Sequence, residues 1–389
     1  MKKVFFNLLT LSTCLLLISC AGTNTATTSS SQHTIIPINN SLFSTNHLIV
    51  PSSDEILELT PEQVEDFFVY YHKWLAKEKA PPKIIYDFLQ SQMSSFNYYD
   101  KTYMPSKAMR LNEGNCMSLA MITTALAQLV NLEFEYRKVS RFPVFSKEKN
   151  IIFSSSHVKT ILYDPNDKID EDSFFSFRQG YIIDYFPEQA DYTGSKLSFE
   201  KFIAHYYRNI ASEYLIENEL DLAYAYTAKA NQYDINNAET LNLFAILHKR
   251  KNDNKTAETI YKLGIKLHPN SIRLLNNYTT LLLSQNRFDE ASEIESKLEF
   301  LDDPNPYTWY EQALQAENKQ HFTKAIKFYK KTIDMAPYVH EAYAKLHNLY
   351  KRSGRVYEAN KILKQGLEWT YDPNTRIKYK YKLTLEAPN

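Results

Sequence analysis

Alanine recurs at Ala223, Ala257, Ala291, Ala325 and Ala359, 34 residues apart each time, and this period restricts the fold of the 389-residue chain more than any other feature. A unit of that length is too small to bury its own apolar face, so consecutive units must stack. Twelve residues before these alanines stand Ala211, Ala245, Thr279, Ala313 and His347, and four residues after them Thr227, Tyr261, Glu295, Tyr329 and Leu363. Small residues at two places in the period allow two helices to approach closely. The spacing therefore predicts five helix pairs over residues 204–371, with the third weakened by Glu295. Pro269 and Pro337 end their units, and Trp309 stands near the start of the fourth.

The period resembles that of tetratricopeptide repeats, which implies an all-α solenoid with a concave face. If the first helix of each pair lines that face, Arg208, Asn242, Asn276 and Tyr310 share one place in the period and are candidates to hold a peptide by hydrogen bonds. Residues 372–389, where Ile, Tyr, Leu and Lys alternate from Arg376 onward, are expected to form a tail or cap.

At the other end, Lys2 and Lys3 precede an apolar run over residues 4–18, too short for a membrane-spanning helix and built like a secretory signal. Leu17-Ile18-Ser19-Cys20 resembles the lipobox of bacterial lipoproteins. The resemblance implies that residues 1–19 are removed and that Cys20 is lipidated, anchoring the protein to the periplasmic face of the outer membrane. Acyl chains contribute about 0.8 kcal/mol per buried methylene, so two or three of them hold a protein on a membrane durably. Residues 20–55 begin rich in Ser, Thr and Asn and are expected to be a flexible tether.

Between these ends, residues 56–203 change their apolar period part-way. Thr60-Pro61-Glu62-Gln63 is a capping box that launches one helix; a second follows Pro82, and a short one covers residues 106–111. Gly114 and Asn115 then form a turn, and Met117, Met121, Leu126 and Leu129 follow at helical spacing, so Cys116 should open a helix. A thiol there meets the positive end of the helix dipole, which favours thiolate over an ordinary cysteine of pKa about 8.5. Residues 134–139, 158–163 and 181–186 read as strands. Helices first and strands after make an α+β domain with a sheet expected to be antiparallel. His157 lies on the second strand, sharing a side with Lys159 and Ile161, and Asp184 on the third, sharing one with Ile182 and Phe186.

Glu113-Gly114-Asn115-Cys116, the helix that follows, Ser155-Ser156-His157-Val158 and the run over residues 181–187 together resemble the transglutaminase-like superfamily, a cysteine-protease-type fold. That resemblance implies Cys116 as nucleophile, His157 as general base and Asp184 as its orienting acid, with Asn115 a candidate oxyanion donor. The function it implies is acyl transfer on an amide of a peptide or protein through a Cys116 thioester, hydrolysis being favoured over amine transfer, with the repeats recruiting the partner. The alternative is a noncatalytic protein-binding scaffold of the cell envelope. No cofactor is expected, and the spacing of His, Cys and acidic residues makes no compact metal motif. With 45 Lys and Arg against 45 Asp and Glu and no basic run, nucleic acid is an unsuited partner.

Overall fold

The computed structural model describes residues 35–92, 96–98, 101–148, 151–167, 180–183, 194–298, 301, 305–370 and 373–385. Met1–Ile35 and Ile36–Asn389 separate as two units, and the second holds every element described below. Cys20 and Asp184 lie outside the described residues.

α1 (Pro61–Leu75) starts on the expected capping box: the Thr60 hydroxyl accepts from the Gln63 N–H, and the Gln63 side chain accepts from the Thr60 N–H. Pro61 takes the first helical place, where a missing donor costs nothing. α2 (Pro81–Gln92), β1 (Asn97–Tyr98), α3 (Pro105–Leu111), β2 (Glu113–Gly114) and α4 (Cys116–Leu129) follow, and the short β1 and β2 pair in parallel. β3 (Phe134–Glu148) and β4 (Ile151–Tyr163) form a long antiparallel hairpin whose register shifts between Val139 and Val144. β5 (Gly180–Ile183) pairs with β4 and β6 (Ser195–Leu197) with β3, giving the antiparallel order β5-β4-β3-β6.

Both hairpin strands run well past the lengths read from the sequence. The added residues carry no clean alternation; Ser154, Ser155 and Ser156 in a row give no period of two to find. The core of this half joins Phe67, Ile84, Ile85 and Phe88 of the first two helices to Met117, Met121 and Leu126 of α4 and to Tyr136, Val158 and Leu162 of the sheet.

α5 (Phe199–Glu217) is capped by Ser198, whose hydroxyl accepts from the Lys201 N–H. Its first turns belong to the α+β core, where the Phe202 ring stacks on Tyr136 at 3.9 Å with Ile203, Tyr206 and Tyr207 beside it. Its last turns, with Ala211 and Leu215, belong to the core of the repeats. The expected boundary between residues 203 and 204 thus falls inside one continuous helix.

The rest is helical: α6 (Leu220–Tyr233), α7 (Ala238–Arg250), α8 (Asn254–Leu267), α9 (Ile272–Ser284), α10 (Phe288–Leu298), α11 (Pro306–Asn318), α12 (Phe322–Met335), α13 (His340–Arg352), α14 (Val356–Glu368) and α15 (Pro373–Leu385). Helices α5 to α14 are five pairs. The periodic alanines sit in the second helix of each pair and are buried, opposite the buried Ala211, Ala245, Thr279, Ala313 and His347 of the first helices. In the third pair Glu295 is exposed, and the neighbouring Ile294 is the buried residue instead. The tail is a helix: Tyr379 of α15 is buried, and its hydroxyl donates to the His340 carbonyl at 2.8 Å.

Within the segment expected to be a tether, Ile36 and Phe43 are buried against the helices of the repeats; just after it, Ile56 and Leu57 join the core of the α+β half.

Candidate functional site

Two places could carry function, the start of α4 and the row of first helices in the repeats. At the first, the chain turns from β2 into α4 through Gly114, whose φ of +152° belongs to glycine. A Cβ there would stand 2.7 Å from the Ser118 side chain, so the turn also requires glycine sterically. Asn115 is the N-cap: its Oδ1 accepts from the Ser118 N–H at 3.1 Å, while its Nδ2 donates to the Thr102 hydroxyl at 2.8 Å. Both ends of that amide are thereby engaged in building the turn.

The network continues into the repeats. The Thr102 N–H donates to the Glu213 carboxylate of α5 at 2.7 Å, and Lys101 pairs with Glu217 one turn further on at 2.9 Å. Burial raises the Glu213 carboxyl to about 7, opposed by the Thr102 hydrogen bonds and the Lys101 charge. The sequence carried no signal for this carboxylate beyond its place on an amphipathic helix.

Cys116 opens α4 as expected and is not in a disulfide, yet it is only 7% exposed and belongs to the apolar core. Val158 and Leu162 of β4 lie in that same core, together with the buried Thr160 between them. Strand alternation sets Lys159 and Ile161 on the other face. His157 pairs in register with Val139, and its side chain lies outside the described part of the structure. The imidazole of His157 and the whole of Asp184 thus lie outside the described residues, and only the place of Cys116 is described.

The second place is defined by what the first helices offer side by side. Arg208 pairs with Asp234 at 3.3 Å, and both side chains are largely buried. Asn242 is 7% exposed and accepts from Asn277 of the next pair at 2.7 Å, while Arg273 bonds Glu239 of the preceding pair at 2.6 Å. The first contact ties the two helices of one pair, and the other two run from repeat to repeat and fix the row. Asn276 is exposed and Tyr310 half-buried, so these two of the four expected contacts present themselves most openly. Desolvation, with Glu341, Glu311 and Glu317 nearby, raises the Tyr310 hydroxyl to about 12, so it stays a neutral donor. His205 beside the row is held down to about 3 by burial and by the charges of Arg208, Lys138 and Arg273, and is therefore a neutral imidazole.

The turn inside each pair decides the architecture. Asn218, Asn252, Asn286, Gln320 and Gly354 all adopt positive φ, between 57° and 72°, and they too are 34 residues apart. Each stops the first helix with a left-handed residue and sends the chain back as the second. The carboxy-terminal part is a tetratricopeptide-repeat solenoid. Solved structures of repeat proteins match it. MamA from residue 41 of Desulfovibrio magneticus RS-1 is 19% identical, over 44% of this chain and 96% of its own, with a TM-score of 0.27. Pseudomonas aeruginosa PilF is 16% identical, over 49% and 95%, with a TM-score of 0.33. Yeast Tom70 is 19% identical, over 47% and 39%, with a TM-score of 0.35. At those scores the fold rests on the helix pairs themselves. No family model matches the chain, and no curated protein matches it.

These findings correct the expectation of an amide-acting cysteine enzyme. The matched structures are repeat proteins, each covering less than half of this chain, and no transglutaminase-like domain is shown. Cys116 is packed in the core.

Proposed function

We propose that this protein is a noncatalytic protein-binding scaffold whose solenoid holds an extended segment of a partner along the row of first helices. The observation that carries the reading is the lateral linkage Asn242–Asn277 and Arg273–Glu239 between neighbouring pairs, with Arg208–Asp234 tying the first pair together, which commits charge and amide groups to a fixed surface rather than a reactive one. Against such a surface, Asn276 and Tyr310 offer a neutral amide and a neutral phenol suited to main-chain groups of a peptide. In this reading Cys20 carries a lipid that keeps the scaffold on the periplasmic face of the outer membrane. The α+β half is a transglutaminase-like fold retained for support: through α5 it holds the first repeat in place, and its cysteine packs as a small apolar residue.

A photo-crosslinking residue placed at Asn276 or at Tyr310 of the full chain tests the binding face. One at Glu295, exposed on α10, is the control. The scaffold reading expects the same partner adduct from 276 and 310 and none from 295. Equal adducts from all three positions, or none from 276 and 310, would refute the face assigned here.

A further inference from the structure

Residues 36–48 bind the repeats as a ligand does, through side chains. The main-chain hydrogen bonds formed by these residues are local: Ile38 to Ile36, Phe43 to Asn40, Thr45 to Phe43 and Leu48 to Thr45. Among the described residues, none of their main-chain bonds to other main-chain groups reaches a helix of the solenoid. The hold centres on two buried apolar anchors seven residues apart, Ile36 and Phe43, in one core with Leu215, Tyr224, Leu241 and Phe244, with Ile38 and Leu42 packed at its edge. The Phe43 ring lies on Tyr224 of α6 at 3.9 Å and 9°, meets the edge of His248 of α7 at 5.3 Å, and has Lys251 Nζ 5.4 Å from its centroid. Lys251 is itself positioned by Asp221 at 2.8 Å, and the Tyr224 hydroxyl donates to the Asn40 side chain. An aromatic ring received between a tyrosine face, an imidazole edge and a lysine is a recognition pocket, and it stands apart from the row that carries Asn276 and Tyr310.

We propose that the cleft between α6 and α7 is a docking site for an extended peptide anchored by one aromatic side chain, and that residues 36–43 of this chain occupy it in cis as a displaceable strap. The partner chemistry follows from the occupant: an aliphatic side chain, a short polar stretch able to accept from Tyr224, and an aromatic ring seven residues after the aliphatic one. Tethering gives the strap an effective concentration of about millimolar, so a partner must exceed it in affinity or arrive when the strap has opened. The inference does not depend on what the row of first helices binds.

The test uses a labelled peptide of residues 36–45 and two full-length chains, wild type and Ile36→Ala/Phe43→Ala. The double variant is expected to take up the peptide at least tenfold more tightly than wild type, and a peptide with alanine in place of Phe43 is expected to lose that binding. Equal uptake by the two chains, or no uptake by either, would overturn the proposal. Hydrogen exchange on the wild type gives a second reading that needs no variant. The Phe43 and Leu48 amides should exchange at least tenfold faster than those of Leu241 to Leu247; equal protection would make the segment a permanent part of the core and overturn the strap.

Discussion

The two halves of the chain are built on opposite principles of contact. In the α+β half, core partners come from far apart in sequence: Phe67 and Met121 share one core, and Tyr136 stacks on Phe202. In the solenoid the helices pack mainly on neighbours within one or two repeats, although α11 also touches β3, and the same small residues return every 34 positions. The first kind of core fixes one geometry, and a change anywhere within it is felt throughout. The second is close to a one-dimensional stack, where damage stays near its source. α5 belongs to both, so the contrast is sharpest at its two ends.

The largest test is therefore Phe202→Ala. Removing a buried ring stacked on Tyr136 should cost about 3–5 kcal/mol and loosen the α+β half together with the first repeat, because α5 can no longer seat in the sheet. Urea unfolding followed at residues in α4 and in α6 should show the two lost together. Loss at α4 with α6 unchanged would break the idea of a shared helix.

Next comes Glu213→Gln, which probes the junction through its pH dependence. The folded carboxyl is raised to about 7, so the folded state binds its proton more strongly than the unfolded chain does. Its contribution to stability is therefore fully present below the unfolded carboxyl range and is lost as pH rises through about 7. Glutamine keeps an acceptor for the Thr102 N–H without the buried charge. The variant should be more stable than wild type at pH 8, by an amount on the order of 2 kcal/mol, with the difference closing as pH falls below about 4. A melting-temperature difference independent of pH would remove Glu213 from the account.

The smallest effect belongs at the far end. A Cβ on Gly366 would stand 2.8 Å from Tyr379 and 3.1 Å from Tyr343, so Gly366→Ala should push α15 off α14. Overpacking offset by the better helix propensity of alanine leaves a net cost of about 1 kcal/mol. Hydrogen exchange should rise in α15 and stay unchanged in α4. A rise in both would show that the repeats transmit strain along the chain after all.

The same contrast explains what could be read from the sequence. The helix pairs were legible because their signal repeats: five buried alanines in phase outweigh the departures at Thr279, His347 and Glu295. A second periodic signal, the left-handed turn residues Asn218, Asn252, Asn286, Gln320 and Gly354, lay in the sequence too and went unread because three residue types share the role. In the α+β half, local features came through, among them the Thr60 capping box and the helix start at Cys116. What did not come through was which distant residues meet. Alternation grouped His157 with Lys159 and Ile161 but could not say which face of β4 looks toward α4. That face belongs to Val158 and Leu162. Ile36 and Phe43 were missed because two apolar residues in a polar stretch give no period, although their partners were waiting on α6 and α7.

The central claim, that the chain binds without catalysing, is tested most directly by intact-mass spectrometry of the wild-type protein after incubation with cell-envelope extract. The account predicts that Cys116 keeps its thiol and resists alkylation until the chain is unfolded, as its place in the core implies. A mass shift from an acyl thioester, absent in Cys116→Ala, would contradict it.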